Sequence, residues 1–556
     1  MRRRDLIFVE MTGGTAEKFM FAHEGESTTS ILRGVCCCIF KNTVVYLTGG
    51  FRKVGAMVDA VQRNTTQGIG LGRPVTAEPD LPMKILNGSV HSAIQDASHP
   101  NDMIKQILAS GSQLEQMGKK RNRFLKAAMT ERLSTYASED PKKHGLPTEH
   151  ILNIYDKWGH GQFGMTLTAN VLVDPTNLEA VGNAIIFKEG DSSERRVLYT
   201  QWAQKMKQDG SLAIVQLSHA GRQTPSYVNS SPWSASDVQL KTPDNQYGKP
   251  IGLTLEQVKT KVIDRFVYAA KFSFECGFDG VELHGAHGYL LSQFTSLTTN
   301  KRTDRYGGSL ENRNRLILEI YDEIRKEIPS QDFLIGLKTN SVEFQSEGTT
   351  LEDAKEMCKA YEERGFDFVE LSGGTAEKFL FNHERESTKK REAFFAEFAE
   401  QIRPVFKNTI VYLTGGFRTV GAMVDAVQRN TTQGIGLGRP VTAEPDLPKK
   451  ILNGVVPSAV KDEFNQNEMG KTIMASCSQI EQMGRKSVKT AGGNLMDQIS
   501  DFTDGGLVAK YDEAVVEFMI ELKKDLSEGR TPKSIIIFIF VLQVYFIPRD
   551  FFAMED

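Results

Sequence analysis

Cysteine is scarce, and what there is lies badly placed for the roles that usually demand it. The six residues fall as an adjacent trio, Cys36, Cys37 and Cys38, and three scattered singles, Cys276, Cys358 and Cys477. No Cys-x-x-Cys pair and no His/Cys cluster has the spacing of a zinc or iron–sulfur site, so no metal is expected, and no disulfide framework is suggested. A reducing, cytoplasmic setting fits. An excess of either charge is missing too. With 67 Lys and Arg against 70 Asp and Glu, the net charge of −3 gives no reason to expect nucleic acid or an anionic membrane as partner. Nor is there a membrane-length apolar run. The basic start, Met1 to Glu10, carries too short an apolar stretch for a signal peptide. Residues 534–547 hold no charge, but fourteen residues fall short of the roughly 18–20 that span a bilayer. No membrane span is expected; that segment reads as a tail that packs on the surface or stays loose and prone to aggregate.

What is present is an ordinary soluble composition, 40% hydrophobic and 25% charged, over 556 residues, more than one average domain. The chain also repeats itself. Lys41 to Gly88 matches Lys407 to Gly454 at a constant offset of 366, with three differences: Val44 against Ile410, Lys53 against Thr419 and Met83 against Lys449. Upstream, Gly13 to Phe19 matches Gly373 to Phe379 at an offset of 360, so the first copy is shorter by six residues in between. The longer version spaces Phe394, Phe395, Phe398 and Ile402 as an amphipathic helix, a pattern the shorter one lacks. Two copies around an unlike middle are no solenoid. They read as a partial duplication fused in front of a complete unit.

The complete unit alternates apolar runs with helical patterns, which argues for a parallel sheet. Strands are expected at 123–130, 161–169, 212–217, 278–284, 333–338, 366–371, 409–413 and 434–437. Helices are clearest at 255–276 and 316–328, and a further one is expected after the barrel at 511–526. The polar stretch 219–253 reads as a mouth loop or lid. The first copy holds counterparts of the last three strands only, too few to close a barrel. The expected division is 1–120 for the truncated repeat, 121–505 for the complete barrel, and 506–556 for a C-terminal helix and apolar tail.

The run from Asp279 to Arg315 carries the chemistry. It opens D-G-V-E-L-H-G-A-H-G-Y, putting His284, His287 and Tyr289 at the carboxyl end of a buried strand, where barrel enzymes keep catalytic groups. Arg302, Asp304, Tyr306, Gly307, Gly308, Ser309, Asn312 and Arg313 follow as a polar turn, with Ser309 as a helix N-cap. Near the end, Gly415 and Gly416 after one strand and Gly438 and Arg439 after the next offer close backbone approach and a charge for a phosphate.

Together these strings resemble the old yellow enzyme, or NADH:flavin oxidoreductase, family. The resemblance implies a (β/α)8 TIM barrel, here preceded by an incomplete duplicate of its last three β/α units, with FMN at the carboxyl-terminal mouth. It implies flavin contacts at Ala128, Met129 and Thr130, with the Thr130 hydroxyl on the ring's O4; Asn170, after the second strand, falls near a small residue in relatives. Gln216 falls where the family reads the pyrimidine edge, and Lys338 where many members place Arg near N1 and O2. Gly415, Gly416, Gly438 and Arg439 would hold the phosphate. His284 and His287 would hold a substrate carbonyl as two N–H donors, and Tyr289 would act as general acid. The implied reaction has two stages: NADH or NADPH reduces FMN, then the flavin reduces an activated C=C bond of a small-molecule, enone-type substrate. An iron–sulfur branch that reduces dienoyl-CoA needs clustered cysteines after the last strand, where only Cys477 lies. The alternative is an inactive or poorly folded fusion product with no turnover.

Overall fold

The computed structural model describes residues 8–11, 44–48, 53–63, 68–71, 81–86, 122–242, 246–340, 350–373, 395–465 and 468–538. The chain divides into two compact units, Met1–Arg121 and Asn122–Asp556.

In the first unit, strands β1 (Phe8–Met11), β2 (Val44–Thr48) and β3 (Gly68–Gly70) form a parallel sheet in that order. Its helix Val54–Gln62 buries Met57 and Ala60 against Ile69, Leu71 and Ile85. The same nine residues recur as helix Val420–Gln428 in the second unit. There the Thr419 side chain caps the helix by accepting from Ala422 N at 3.2 Å, whereas Lys53 makes no side-chain cap. One of the three differences between the copies is therefore a lost N-cap, worth about 1 kcal/mol.

The second unit is a closed, all-parallel barrel. Its strands are β4 (Phe124–Lys126), β5 (Met165–Leu172), β6 (Leu212–Ser218), β9 (Gly280–Gly285), β10 (Leu334–Asn340), β11 (Phe368–Ser372), β12 (Ile410–Thr414) and β13 (Gly434–Leu437). Each pairs with the next, and β13 closes on β4 with Ile435 opposite Phe124. The short pair β7 (Trp233–Ser234) and β8 (Ile251–Gly252) structures part of the expected mouth loop.

Two strands differ from their expected spans. The 123–130 run pairs only at Phe124–Lys126, because the neighbouring ladders reach no further than Leu437 and Thr166. Ala127 to Thr130 is left as a loop. The strand expected at 161–169 forms at Met165–Leu172 instead, with a register shift between Leu167 and Asn170 that sets Asn170 opposite Gln216. Irregularities of this kind re-aim a side chain where a site needs it.

Helices cover the strands from outside. Ser309 caps Leu310–Glu327, its hydroxyl accepting from Asn312 N at 3.3 Å. Thr350 and Asp353 form a capping box for Leu351–Arg364, which ends on Gly365 at φ 85°. The stretch expected as one helix at 255–276 is a short capped turn, a π-helical segment Val258–Ile263, and the α-helix Asp264–Glu275. Phe394, the first of the four spaced apolar positions, lies outside the described residues; the helix Ala396–Ile402 buries Phe398 and Ile402. The C-terminal helix begins earlier than its apolar pattern suggests, at Gly505, and runs to Ser527. Among the described residues no helix is long and apolar enough to cross a membrane.

Strand alternation sorts the side chains into two sets. Val281, Leu283, Ile335, Leu337, Val369 and Leu371 face outward into the main core beneath the helices. Leu125, Met165, Leu167, Ile214, Phe368 and Tyr412 fill the floor of the barrel. Gly336 has no side chain because the Phe368 ring takes its place; a Cβ there would sit 2.1 Å from that ring.

Candidate active site

Above the apolar floor the same inward-facing positions turn polar, two residues at a time. On β6, Ile214 is followed by Gln216 and Ser218; on β9, Gly280 by Glu282 and His284. On β10, Gly336 is followed by Lys338 and Asn340; on β11, Phe368 by Glu370 and Ser372. The barrel interior thus has a middle tier of Gln216, Glu282, Lys338 and Glu370 and a mouth tier of Ser218, His284, Asn340 and Ser372. All eight are buried.

In the middle tier, Gln216 Nε2 donates to Glu282 Oε2 at 2.7 Å, and Lys338 Nζ pairs with Glu370 Oε1 at 2.9 Å. Burial, then Glu370, pushes the Glu282 carboxyl well above the usual carboxylate range. Lys338 thus stands beside a counter-ion rather than alone.

The mouth tier is one hydrogen-bonded chain. Ser218 Oγ meets His284 Nδ1 at 3.1 Å, His284 Nε2 meets His287 Nδ1 at 3.3 Å, and His287 Nε2 meets Ser372 Oγ at 3.0 Å. Sequence reasoning gave the two imidazoles parallel donor roles; the structure links them in series. His287 sits at φ 60°, uncommon for a residue with a Cβ. Its N–H donates to Asn340 Oδ1 at 3.0 Å and its carbonyl accepts from Gln223 Nε2 at 2.8 Å, which offsets the strain. Burial and then Lys338 push His287 down to about 3; burial, His287 and Lys338 lower His284 well below its ordinary value. Both rings are neutral near pH 7. The Tyr289 ring lies 4.5 Å from that of His284, and burial raises its phenol so that it keeps its proton.

Ala128, Met129 and Thr130 form the loop after β4, each half-buried. Thr130 Oγ1 donates to Asn170 Oδ1 at 2.8 Å, which leaves Asn170 Nδ2 a buried donor with no protein partner. After β12, Gly415 and Gly416 take φ of 144° and 79°, conformations that side chains resist. After β13, a Cβ on Gly438 would meet nothing nearer than Met129 Sδ at 3.8 Å. Arg439 Nη1 donates to Thr472 Oγ1 at 2.8 Å. Arg439 and Arg418 line a cavity of about 50 Å³ together with Asp462, Thr472 and Ser476. Burial and the Arg418 guanidinium lower Arg439, a pairing that an anion would relieve.

Several members of this site carry no mark of their own in the sequence. Ser218, Glu282, Asn340, Glu370 and Ser372 each lie on an inward face, and three of them stand two residues from a residue named for chemistry. Period-two counting along the strands would have found them. Lys126 and Glu131 were missed as well. Lys126 Nζ donates to Tyr155 Oη at 3.3 Å and Leu167 O at 3.0 Å, Tyr155 in turn donates to Glu131, and burial brings Lys126 down to about 7.

These residues fit FMN on three counts: an orphaned amide donor beside Thr130, open space over Gly438, and two guanidiniums at the phosphate end. The model for the NADH:flavin oxidoreductase / NADH oxidase family matches residues 116–456. The chain is 42% identical over 396 residues to the NADH-dependent flavin oxidoreductase nadA of Aspergillus parasiticus, covering 70% of this chain and 88% of that protein. It is 35% identical over 360 residues to the NADH-dependent flavin oxidoreductase iccE of Talaromyces variabilis, covering 60% and 83%. Among solved structures, a 2-naphthoyl-CoA reductase complex superposes with a TM-score of 0.56 at 21% identity, covering 71% of this chain and 56% of that one. Morphinone reductase gives 0.50 at 21%, covering 61% and 88%. At such identities the two structures speak to the barrel alone. The family model and the sequence relatives speak to more: the chain belongs to the NADH:flavin oxidoreductase / NADH oxidase family and is an FMN-dependent NAD(P)H oxidoreductase.

Proposed function

We propose that this enzyme reduces the activated C=C bond of an α,β-unsaturated carbonyl compound. The observation that carries this reading is the placement of His284, His287 and Tyr289 on and just after one strand end, linked to the mouth tier. FMN, when bound, supplies the hydride chemistry between NADH or NADPH and the alkene. The chain's own residues supply placement and charge. Two neutral imidazoles present polar N–H groups without the cost of burying an extra positive charge. A substrate carbonyl takes one of those donors by exchanging it for a serine hydroxyl at either end of the chain. The negative charge that develops on that oxygen is met by a preorganised donor. Tyr289, protonated throughout the neutral range and packed at a tilt against His284, delivers a proton to the carbon that needs one. Gly415, Gly416, Gly438 and Arg439 hold the phosphate, while Ala128, Met129, Thr130, Asn170, Gln216 and Lys338 orient the ring system.

Rapid mixing tests the assignment. Tyr289→Phe is expected to leave flavin reduction by NAD(P)H within about threefold of the parent. It should slow reoxidation by an enone by about 100-fold, within the usual 10²–10⁴ for a lost general acid. Equal slowing of both half-reactions rules out the acid role.

A further inference from the structure

The middle tier holds one ammonium and two carboxyls in a space closed to water. Glu282 uses Oε2 to accept from Gln216, and Glu370 uses Oε1 to accept from Lys338. The remaining oxygens, Glu282 Oε1 and Glu370 Oε2, are both buried and both without a hydrogen-bond partner. Glu282 and Glu370 stand on β9 and β11, the two strands that flank β10, and a side-chain hydrogen bond with Glu370 is among the causes that raise the Glu282 carboxyl. Two ionised carboxylates are both acceptors and repel at that range. A buried orphan acceptor is costly, and two in one tier need an explanation. We propose that Glu282 and Glu370 share a single proton between Glu282 Oε1 and Glu370 Oε2, and that this pair is the positioning unit for Gln216 and Lys338 beneath the flavin.

One proton satisfies both oxygens and balances the tier, since Lys338 then faces one net negative charge. The other cation near the tier, Lys126, donates to Tyr155 Oη and Leu167 O, and Glu131 acts on it more strongly than Lys338 or Glu370 does. His284, above, is neutral, and Tyr412, opposite Glu370 on β12, keeps its proton. Between the two carboxyls, Glu370 has the ammonium and Glu282 has only an amide, so the proton rests on Glu282. The raised affinity of Glu282 for protons agrees. The consequence is geometric. Gln216 is fixed by an acceptor that is itself fixed, so its remaining polar edge is aimed before any ligand arrives.

The shared proton stands independently of the substrate class; its positioning role rests on the placement of FMN proposed above. The test therefore uses neither an enone nor a nicotinamide. Infrared spectra of the full chain, with FMN removed, are expected at pH 7 to show the carbonyl stretch of a protonated carboxylic acid that shifts in heavy water. That component is expected to vanish in Glu282→Gln, while any component from Glu131 persists. FMN affinity follows from quenching of flavin fluorescence. Glu282→Ala is expected to weaken it by about tenfold or more. In Glu282→Gln the amide oxygen still accepts from Gln216 and the NH2 donates to Glu370, so affinity should stay within about threefold of the parent. A spectrum whose acid bands are the same in parent and Glu282→Gln overturns the shared proton. A Glu282→Gln variant as weak as Glu282→Ala overturns the positioning role.

Discussion

At the scale of single residues, the site is governed by groups that stay uncharged because they are buried. The sign of the histidine effect can be worked out. Burial lowers His287 from 6.5 to about 3, so between those values the unfolded chain binds a proton that the folded one does not. Folding stability is then full above about pH 6.5 and falls as pH drops toward 3, by at most about 1.4 kcal/mol per pH unit for this ring. In His287→Asn that contribution is absent, and the stability difference from the parent should be flat above pH 6.5 and change only below it. Urea unfolding from pH 4.5 to 8 measures this; a difference that is the same at every pH contradicts the burial account. Arg439 is the complementary case, a partly buried charge whose neighbour Arg418 repels it. Arg439→Ala removes a charge-assisted contact of about 1.5–3 kcal/mol to the phosphate, or roughly 10- to 100-fold in FMN affinity. The spectrum of the flavin that remains bound should be unchanged. A variant that keeps its FMN through dialysis as well as the parent would place the phosphate elsewhere.

At the scale of elements, outward faces were legible and inward faces were not. Val or Ile followed by Leu two residues on, as on β9, β10 and β11, marks the helix-facing side, so those strands fall within two residues of where their apolar runs put them. The span of β4 was illegible because Ala127 to Thr130 is as apolar as a strand, and only its neighbours' ladders decide where pairing stops. Glu282 and Glu370 each read as one polar residue in an apolar run; nothing local says they meet inside the barrel. The tail teaches the same lesson. Its first residues, 534–538, are held by side chains reaching for their carbonyls: Arg132 to Ser534 O at 3.0 Å, Ser478 to Ile536 O at 2.9 Å and Gln482 to Phe538 O at 3.0 Å. The Phe538 ring lies 5.1 Å from that of Tyr511. The remainder, 539–547, lies outside the described residues. Phe538→Ala is expected to cost about 3 kcal/mol, the low end for a buried phenylalanine, and to lower the melting temperature accordingly. A melting temperature unmoved by that change would mean this contact adds nothing to stability.

At the scale of the whole molecule, the question is what the repeated sequence contributes. The positions proposed for catalysis and flavin contact, Thr130, Gln216, His284, His287, Tyr289 and Lys338, all lie on or just after the first five strands of the barrel, and the repeat has counterparts only of sequence found on and around its last three. Among the described residues the first unit forms a three-stranded sheet, and three strands cannot surround a ring system as a closed barrel does. In sequence, Gly49, Gly50, Gly72 and Arg73 repeat the residues proposed to hold the phosphate, while the residues proposed to orient the flavin have no counterpart in the repeat. Our hypothesis is that residues 1–117 hold no second active site. Deleting them should leave one FMN per chain and kcat within about threefold of the full-length enzyme, while Lys53→Thr in the full chain, which restores the missing helix cap, should not alter FMN stoichiometry. Flavin released on denaturation, counted against protein concentration, measures this directly. Two FMN per full-length chain, or loss of turnover on deletion, would show that the first unit takes part in the reaction.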